Sequence, residues 1–375
     1  MSPLPGLRTA AAQVWGGIRL VPLIRDEPIT DLRLHARIDD ADLTVSRTRD
    51  GGPYLAYVPH AYVATWAAGG APAAAFGTQI IDSGTAPDAV TIRVHQRFVQ
   101  REARSRLRFL PLHLAMEGYL ALHFGGPSVV WPEWSKQAVR AGLSPRAERS
   151  YSGHHIADLE EALRVFEILP GQCGVVVYVG DSPATAFAVP HPDDYRALHP
   201  TLLLDMYGEL VFVNGLLGPR AAPLHTPFDH RRVGGIADLR AVLAEQRRAW
   251  AEFHDTLMAG SLRITDEHTV DHVYSAGNYR LERFLPPFRP KAENHIGERI
   301  VAADGTVAYL KTFRLSENQV KRGYVLAALA AHDWRLDAAA DALGTDRGGL
   351  VARLDRLGFG NLLRRDLRDR FARRR

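Results

Sequence analysis

Seven arginines fall within the last twelve residues, Arg364–Arg375. A guanidinium stays charged at any physiological pH, and its fork of N–H donors matches phosphate oxygens and the edge of guanine. Upstream of this tail, Arg347, Arg353 and Arg356 recur at a spacing that places them on or near the outer side of one helix. From Lys321 to Arg375 there are 13 Lys/Arg against 7 Asp, a net of +6, while the whole chain of 375 residues carries only +4. The preceding 320 residues therefore sum to −2. Basic charge gathered at one end suits a polyanion, with Arg364, Arg365 and Arg368 as phosphate contacts. The alternative is a helical cap whose arginines are a solvated face.

A second set of residues is suited to acid–base work. Glu117 is the one acid in the apolar run Arg106–Phe124, where burial raises a carboxyl pKa. His113 lies four residues earlier, on the same face of a helix. Trp131, Glu133 and Trp134 form an aromatic and acidic cluster fit to line a pocket for a flat ligand. The alternative for Glu117 is a carboxylate that caps a backbone turn, because no nucleophile–base pair or metal spacing accompanies it. The histidines His154, His155, His191, His199, His225 and His230 show no ligand spacing, so no metal and no cofactor is expected. Cys173 is the only cysteine, next to the apolar run Val175–Val179, and reads as a small buried side chain. There is no phosphate-loop motif, no nucleophile elbow and no dinucleotide fingerprint.

The elements that must position these groups are legible in outline. Strands are expected at Ile18–Ile24, Leu32–Ile38, Leu43–Arg47, Tyr54–Val58 and Val90–Val94. Arg106–Phe124 reads as a largely buried helix and Asp158–Leu169 as an amphipathic one. Cys173–Val179 and Thr185–Val189 are strands, and Asp193–Tyr207 is a helix with acids in its first turn. A helix followed by a buried strand points to an α/β or α+β core. After the loop-like stretch Gly218–Gly235, a long helix covers Ala237–Met258. Glu298–Phe313 reads as a β-hairpin with Asp304-Gly305 in its turn. No apolar run is long enough to cross a membrane, the N-terminus lacks a secretory pattern, and the expected location is the cytoplasm.

From Ser316 onward the pattern is helical. Ser316 is an N-cap for a first helix, Leu336–Leu343 forms a second, and a third runs from Arg347 to Leu357. The spacing Ala340-x-x-x-Gly344 lets two helices cross closely and turn. Leu336–Gly344, Asp346-Arg347-Gly348-Gly349-Leu350 and Arg353-Leu354-x-x-Leu357-Gly358 resemble the Fis family of DNA-binding modules, over about 316–360. That resemblance implies an all-α, tri-helical helix-turn-helix unit whose third helix enters the major groove, working as a homodimer on double-stranded DNA. It adds Gly349 to the contact set, although Gly349 stands where that family commonly has Thr or Ser.

Residues 10–215 resemble the ARPP-type domains, named for association with ADP-ribosylglycohydrolase and rhodanese-phosphatase proteins. The resemblance rests on Gly17–Leu23, Glu117-Gly118, Val130–Trp134, Gly171–Val177 and Leu203–Leu210. It implies a link to nucleotide or ADP-ribose chemistry by association. The expected organisation is an N-terminal α/β or α+β sensing domain over 1–217, a connector over 218–315, and an all-α helix-turn-helix domain with an arginine tail over 316–375. The expected function is a bacterial-type DNA-binding transcriptional regulator answering to a small-molecule or nucleotide-like effector. The alternatives are an enzyme acting on a nucleotide or ADP-ribose-like compound, and a scaffold whose helical end docks a partner.

Overall fold

A computed structural model describes residues 3–32, 159–203, 207–222, 229–360 and 363, with short strands at 45–47, 54–56, 62–66, 72–76, 89–91 and 108–109. The described chain divides into two compact units, one holding residues 1–45, 150–285 and 295–314, the other 46–149, 286–294 and 315–375.

The first unit is built on one antiparallel sheet of nine strands. They are β1 (Arg8–Thr9), β2 (Gln13–Trp15), β3 (Ile18–Ile24), β10 (Gln172–Val179), β11 (Ser182–Ala188), β12 (Thr269–Ala276), β13 (Tyr279–Leu285), β14 (His295–Ala302) and β15 (Val307–Arg314). Their order is β1-β3-β10-β11-β15-β14-β13-β12, with β2 paired to β3 beside β1. The apolar run of β3 is buried at every position, as expected of an inner strand covered on both faces. Pro22 lies in that strand without breaking it. Its carbonyl accepts from Ala10 N at 3.0 Å, so its N–H-less nitrogen faces the gap between β1 and β2, where no ladder partner is lost. The hairpin read at 298–313 is present as β14–β15. Gly305 turns at φ +87°, and Asp304 Oδ1 accepts from Thr306 N at 2.9 Å.

Helices lie beside the sheet. They are α1 (Leu159–Ala162), α2 (Pro192–Thr201), α3 (Gly208–Val211) and α4 (Ile236–Phe253). His191 Nδ1 accepts from Asp193 N and caps α2, which packs on β10. A π-helical turn, His254–Met258, follows α4. Met258, Ala259 and Leu262 then close over Val21, Leu23, Val176, Ala186, Ala188 and Leu310 to make the principal core. On the other face Phe187 meets Tyr309 edge to face, and Thr185 Oγ1 lies 3.0 Å from Tyr207 Oη. The sequence-expected helix over Asp158–Leu169 is the short α1 and one 3-10 turn, Leu163–Val165. The helix expected over Asp193–Tyr207 is α2 up to Thr201, continued by a π-helical turn at Leu202 and Leu203, and residues 204–206 lie outside the described residues.

In the second unit, β6 (Tyr62–Trp66), β7 (Pro72–Phe76), β8 (Ala89–Thr91) and β9 (Arg108–Phe109) form a sheet in the order β8-β7-β6-β9. Two further short strands, β4 (Val45–Arg47) and β5 (Tyr54–Ala56), pair with each other. The helix expected over Arg106–Phe124 lies outside the described residues except for Arg108–Phe109, which are strand. The strand expected at Leu32–Ile38 also lies outside them, apart from Leu32. The chain's last described elements are α5 (Glu317–Ala331), α6 (Leu336–Ala342) and α7 (Arg347–Arg356). Ser316 and Gln319 make a reciprocal capping box at the start of α5. Val325, Leu329, Ala339, Ala340, Leu350, Val351 and Leu354 bury a common cluster.

The expected fold class is overturned. The described chain is dominated by a nine-stranded antiparallel sheet in place of an α/β or α+β core. The last three helices do not stand as an all-α domain. They share a compact unit with Pro286–Asn294. Gly323 of α5 lies under the ring of Phe288, so close that a β-carbon there would collide with it. Asn294 accepts from Leu315 N at 2.8 Å, while its own amide is tied to Arg289 O and Ala292 O. Sequence reasoning missed this because Gly323 reads only as a weak helix former. A free helical module would gain about 1 kcal/mol from Gly323→Ala through helix propensity. The Phe288 contact reverses the sign, and urea unfolding of the full chain should show a loss of about 1–3 kcal/mol.

Candidate functional site

The basic residues read from the sequence are held by α7, whose own residues favour helix weakly. Gly348 and Gly349 each cost about 1 kcal/mol there. Asp346 offsets part of this as the N-cap, its Oδ1 accepting from Gly349 N at 2.6 Å. The larger contribution is the burial of Leu350, Val351 and Leu354. With those three turned inward, a rotation of 100° per residue places Gly349, Ala352 and Arg356 on the outer side and Arg353 at its edge. Gly344, at φ +64°, makes the turn from α6.

The three arginines of α7 differ in what holds them. Arg347 Nη1 meets Asp337 Oδ2 of α6 at 3.1 Å, with both side chains largely exposed. Arg356 Nε turns back to Ala352 O at 3.3 Å. The guanidinium of Arg353 stands over the ring of Tyr324, 5.7 Å from its centroid. Among the described residues no carboxylate pairs with Arg353 or Arg356. A β-carbon at Gly349 would collide with Thr345 Oγ1, so this position offers backbone but no side-chain contact. Arg364, Arg365 and Arg368 lie outside the described residues. So do His113, Glu117, Trp131, Glu133 and Trp134.

The sheet unit contributes polar groups that were not singled out from the sequence. Glu298 on β14 lies between Lys311 Nζ on β15, at 3.7 Å, and Arg283 Nε on β13, at 3.9 Å. Burial pushes the Lys311 amine down to about 8, against the pull of Glu298. Tyr178 Oη lies 2.7 Å from His254 Nε2, and His254 Nδ1 lies 3.3 Å from Asp255 Oδ1. That Asp–His–Tyr chain has the order of a proton relay, but Tyr178 and His254 are both fully buried, which closes it to any substrate in this conformation. Ser261 Oγ is 3.4 Å from His295 Nε2, while the buried Nδ1 of His295 has no hydrogen-bond partner among the described residues. Burying a bare N–H costs more than burying a bare lone pair, which favours Nε2–H donating to Ser261 and argues against His295 as its base. Cys173 is buried, as read, and its thiol is pushed up to about 11 by that burial. Among the described residues no group of three or more potential ligands is placed to hold a metal ion, and no helix is long and apolar enough to cross a membrane.

The family model ARPP-2 matches residues 3–277. The chain belongs to the ARPP-2 family. The match takes in the stretch 10–215, where the resemblance was read, and runs past it to the turn after β12. No curated protein and no solved structure matches the chain. The ARPP-2 match ends at Gly277, yet β12 reaches β11 in the sheet only through β13, β14 and β15.

Buried histidines make stability depend on pH. Burial lowers His199 to about 4 and His295 to about 3, and lowers His254 as well against the opposing pull of Asp255. Because each folded value lies below the unfolded one, their contribution is present above about pH 6.5 and is lost as pH falls toward the folded values. Each histidine contributes about 1.4 kcal/mol per pH unit to that slope. Urea midpoints should therefore drop between pH 7 and pH 5, and His199→Gln should flatten the dependence by about one histidine's share.

Proposed function

We propose that this ARPP-2 protein is a DNA-binding transcriptional regulator of the cytoplasm. In this reading its sheet unit senses a small-molecule or nucleotide-like effector, or meets a partner, and its C-terminal residues bind double-stranded DNA. The observation that carries the reading is the charge on α7. Arg353 and Arg356 have no counter-ion among the described residues, and they precede a tail with seven arginines in twelve residues. Unneutralised guanidinium groups beside a basic run supply phosphate contacts that are strong at low salt and carry little sequence information.

The likeness of 316–360 to the Fis family supports the same reading. A single module of that kind buries too little DNA for strong specific binding, so the active form is a homodimer on two half-sites.

The test is binding of the full chain to random-sequence duplex DNA at about 50 and 200 mM salt. The expected result is a fall in affinity on the order of a hundredfold or more between the two. Joint replacement of Arg364, Arg365 and Arg368 by Gln should weaken binding uniformly across sequences and reduce the salt slope by about 3. An absence of binding by the full chain at the lower salt would overturn the proposal.

A further inference from the structure

The three arginines of α7 are not equivalent as readers of DNA. Arg347 shares its charge with Asp337 at 3.1 Å, so a base contact would first require that ion pair to open. Arg356 spends its Nε–H on Ala352 O, one turn back on its own helix. Arg353 has neither kind of partner among the described residues. It is held instead by a neutral surface, the ring of Tyr324 on α5.

Tyr324 is 39% exposed, although α5 buries Val325, Leu326 and Leu329 beside it. An exposed tyrosine facing an unneutralised guanidinium does two things. The face of the ring attracts the cation without consuming any of its five N–H donors. It also removes rotamer freedom from a long side chain, and that freedom would otherwise be lost on binding. A phosphate contact gains little from a fixed plane, because one N–H and the charge suffice. Bidentate contact to O6 and N7 of guanine needs both donors in one plane.

We infer that Arg353 is the base-reading side chain of α7 and that the ring of Tyr324 positions its guanidinium for bidentate contact to guanine. This rests on the DNA-binding reading above. Arg347 and Arg356 then serve as phosphate contacts. Tyr324 is a positioning residue, acting through Arg353.

The experiment is selection of full-length protein on a duplex pool randomised over about two helical turns. Affinity for the unselected pool and its salt slope are measured alongside. The unaltered chain should enrich guanine at one position of each half-site. Arg353→Lys keeps the charge but not the fork, so it should lose about tenfold of that preference, a larger change than its effect on pool affinity. Tyr324→Phe keeps the ring and should keep the preference. Tyr324→Leu keeps apolar bulk without the ring and should lose at least threefold of the preference. Thermal unfolding of each variant near that of the parent verifies the fold. A preference unchanged in Arg353→Lys or Tyr324→Leu, or lost in Tyr324→Phe, overturns the inference. Binding by the unaltered chain with no base preference overturns it and leaves the DNA-binding reading standing. No binding at low salt overturns both.

Discussion

The pairing of β11 with β15, Thr185↔Phe313 through Ala188↔Leu310, is the contact on which the first unit depends. Without it, β1, β2, β3, β10 and β11 would end in an exposed edge at β11, and β12–β15 would form a separate four-stranded ladder. Buried polar bonds reinforce the junction. Thr185 Oγ1 lies 2.7 Å from Thr312 O, and the buried Arg25 donates to Val307 O at 2.8 Å. Because β15 follows every strand it joins in the sequence, this unit cannot be completed until residues up to Arg314 are present. The ARPP-2 match stops short of that point, at residue 277, so the family's signature is shorter than the structure that carries it in this chain.

Buried charge sets the register of the added strands. Arg283, Glu298 and Lys311 face one another across β13, β14 and β15, at paired positions of the ladder. A slip of one residue would carry each of them to the opposite face and part the opposite charges. On that opposite face a second ion pair, Arg299 Nε to Glu282 Oε2 at 2.7 Å, occupies the neighbouring pair of positions. Taking such groups out of water costs several kcal/mol per ion before their attraction is counted. Their contribution is therefore better described as exclusion of wrong registers than as net stability. Gly297 permits the close approach on this strand, since a β-carbon there would meet the ring of Phe284.

How much of this was legible depended on whether the signal was local. The strand Ile18–Ile24, the hairpin at 298–313 and the caps at Ser316 and Asp346 announce themselves through runs, turn residues and side-chain oxygens that act within a few residues. The antiparallel sheet did not, because a helix followed by a buried strand has the same appearance whether the next strand returns beside it or crosses over. Asp158–Leu169 has helical periodicity but forms little more than one turn of α1, because tertiary packing overrides propensity. In the candidate site the charges of Arg347, Arg353 and Arg356 were visible, but their differing partners were not. Tyr324 lies 29 positions before Arg353 and gives no sequence signal of facing it. Gly323 is its neighbour in sequence, and it was the packing of Phe288 on that glycine that joined the helices to a segment outside them.

The start of α7 also decides what an anion would meet there. A helix N-terminus with two glycines would ordinarily offer bare N–H groups to a phosphate. Here Asp346 Oδ1 already occupies the Gly349 N–H at 2.6 Å and sets a negative charge where an anion would approach. The hydroxyl of Thr345 fills the space beside Gly349. The Gly349 N–H is therefore already taken at this end, beside a carboxylate. A long, charged, forked side chain can reach past an acidic cap, and a backbone amide cannot.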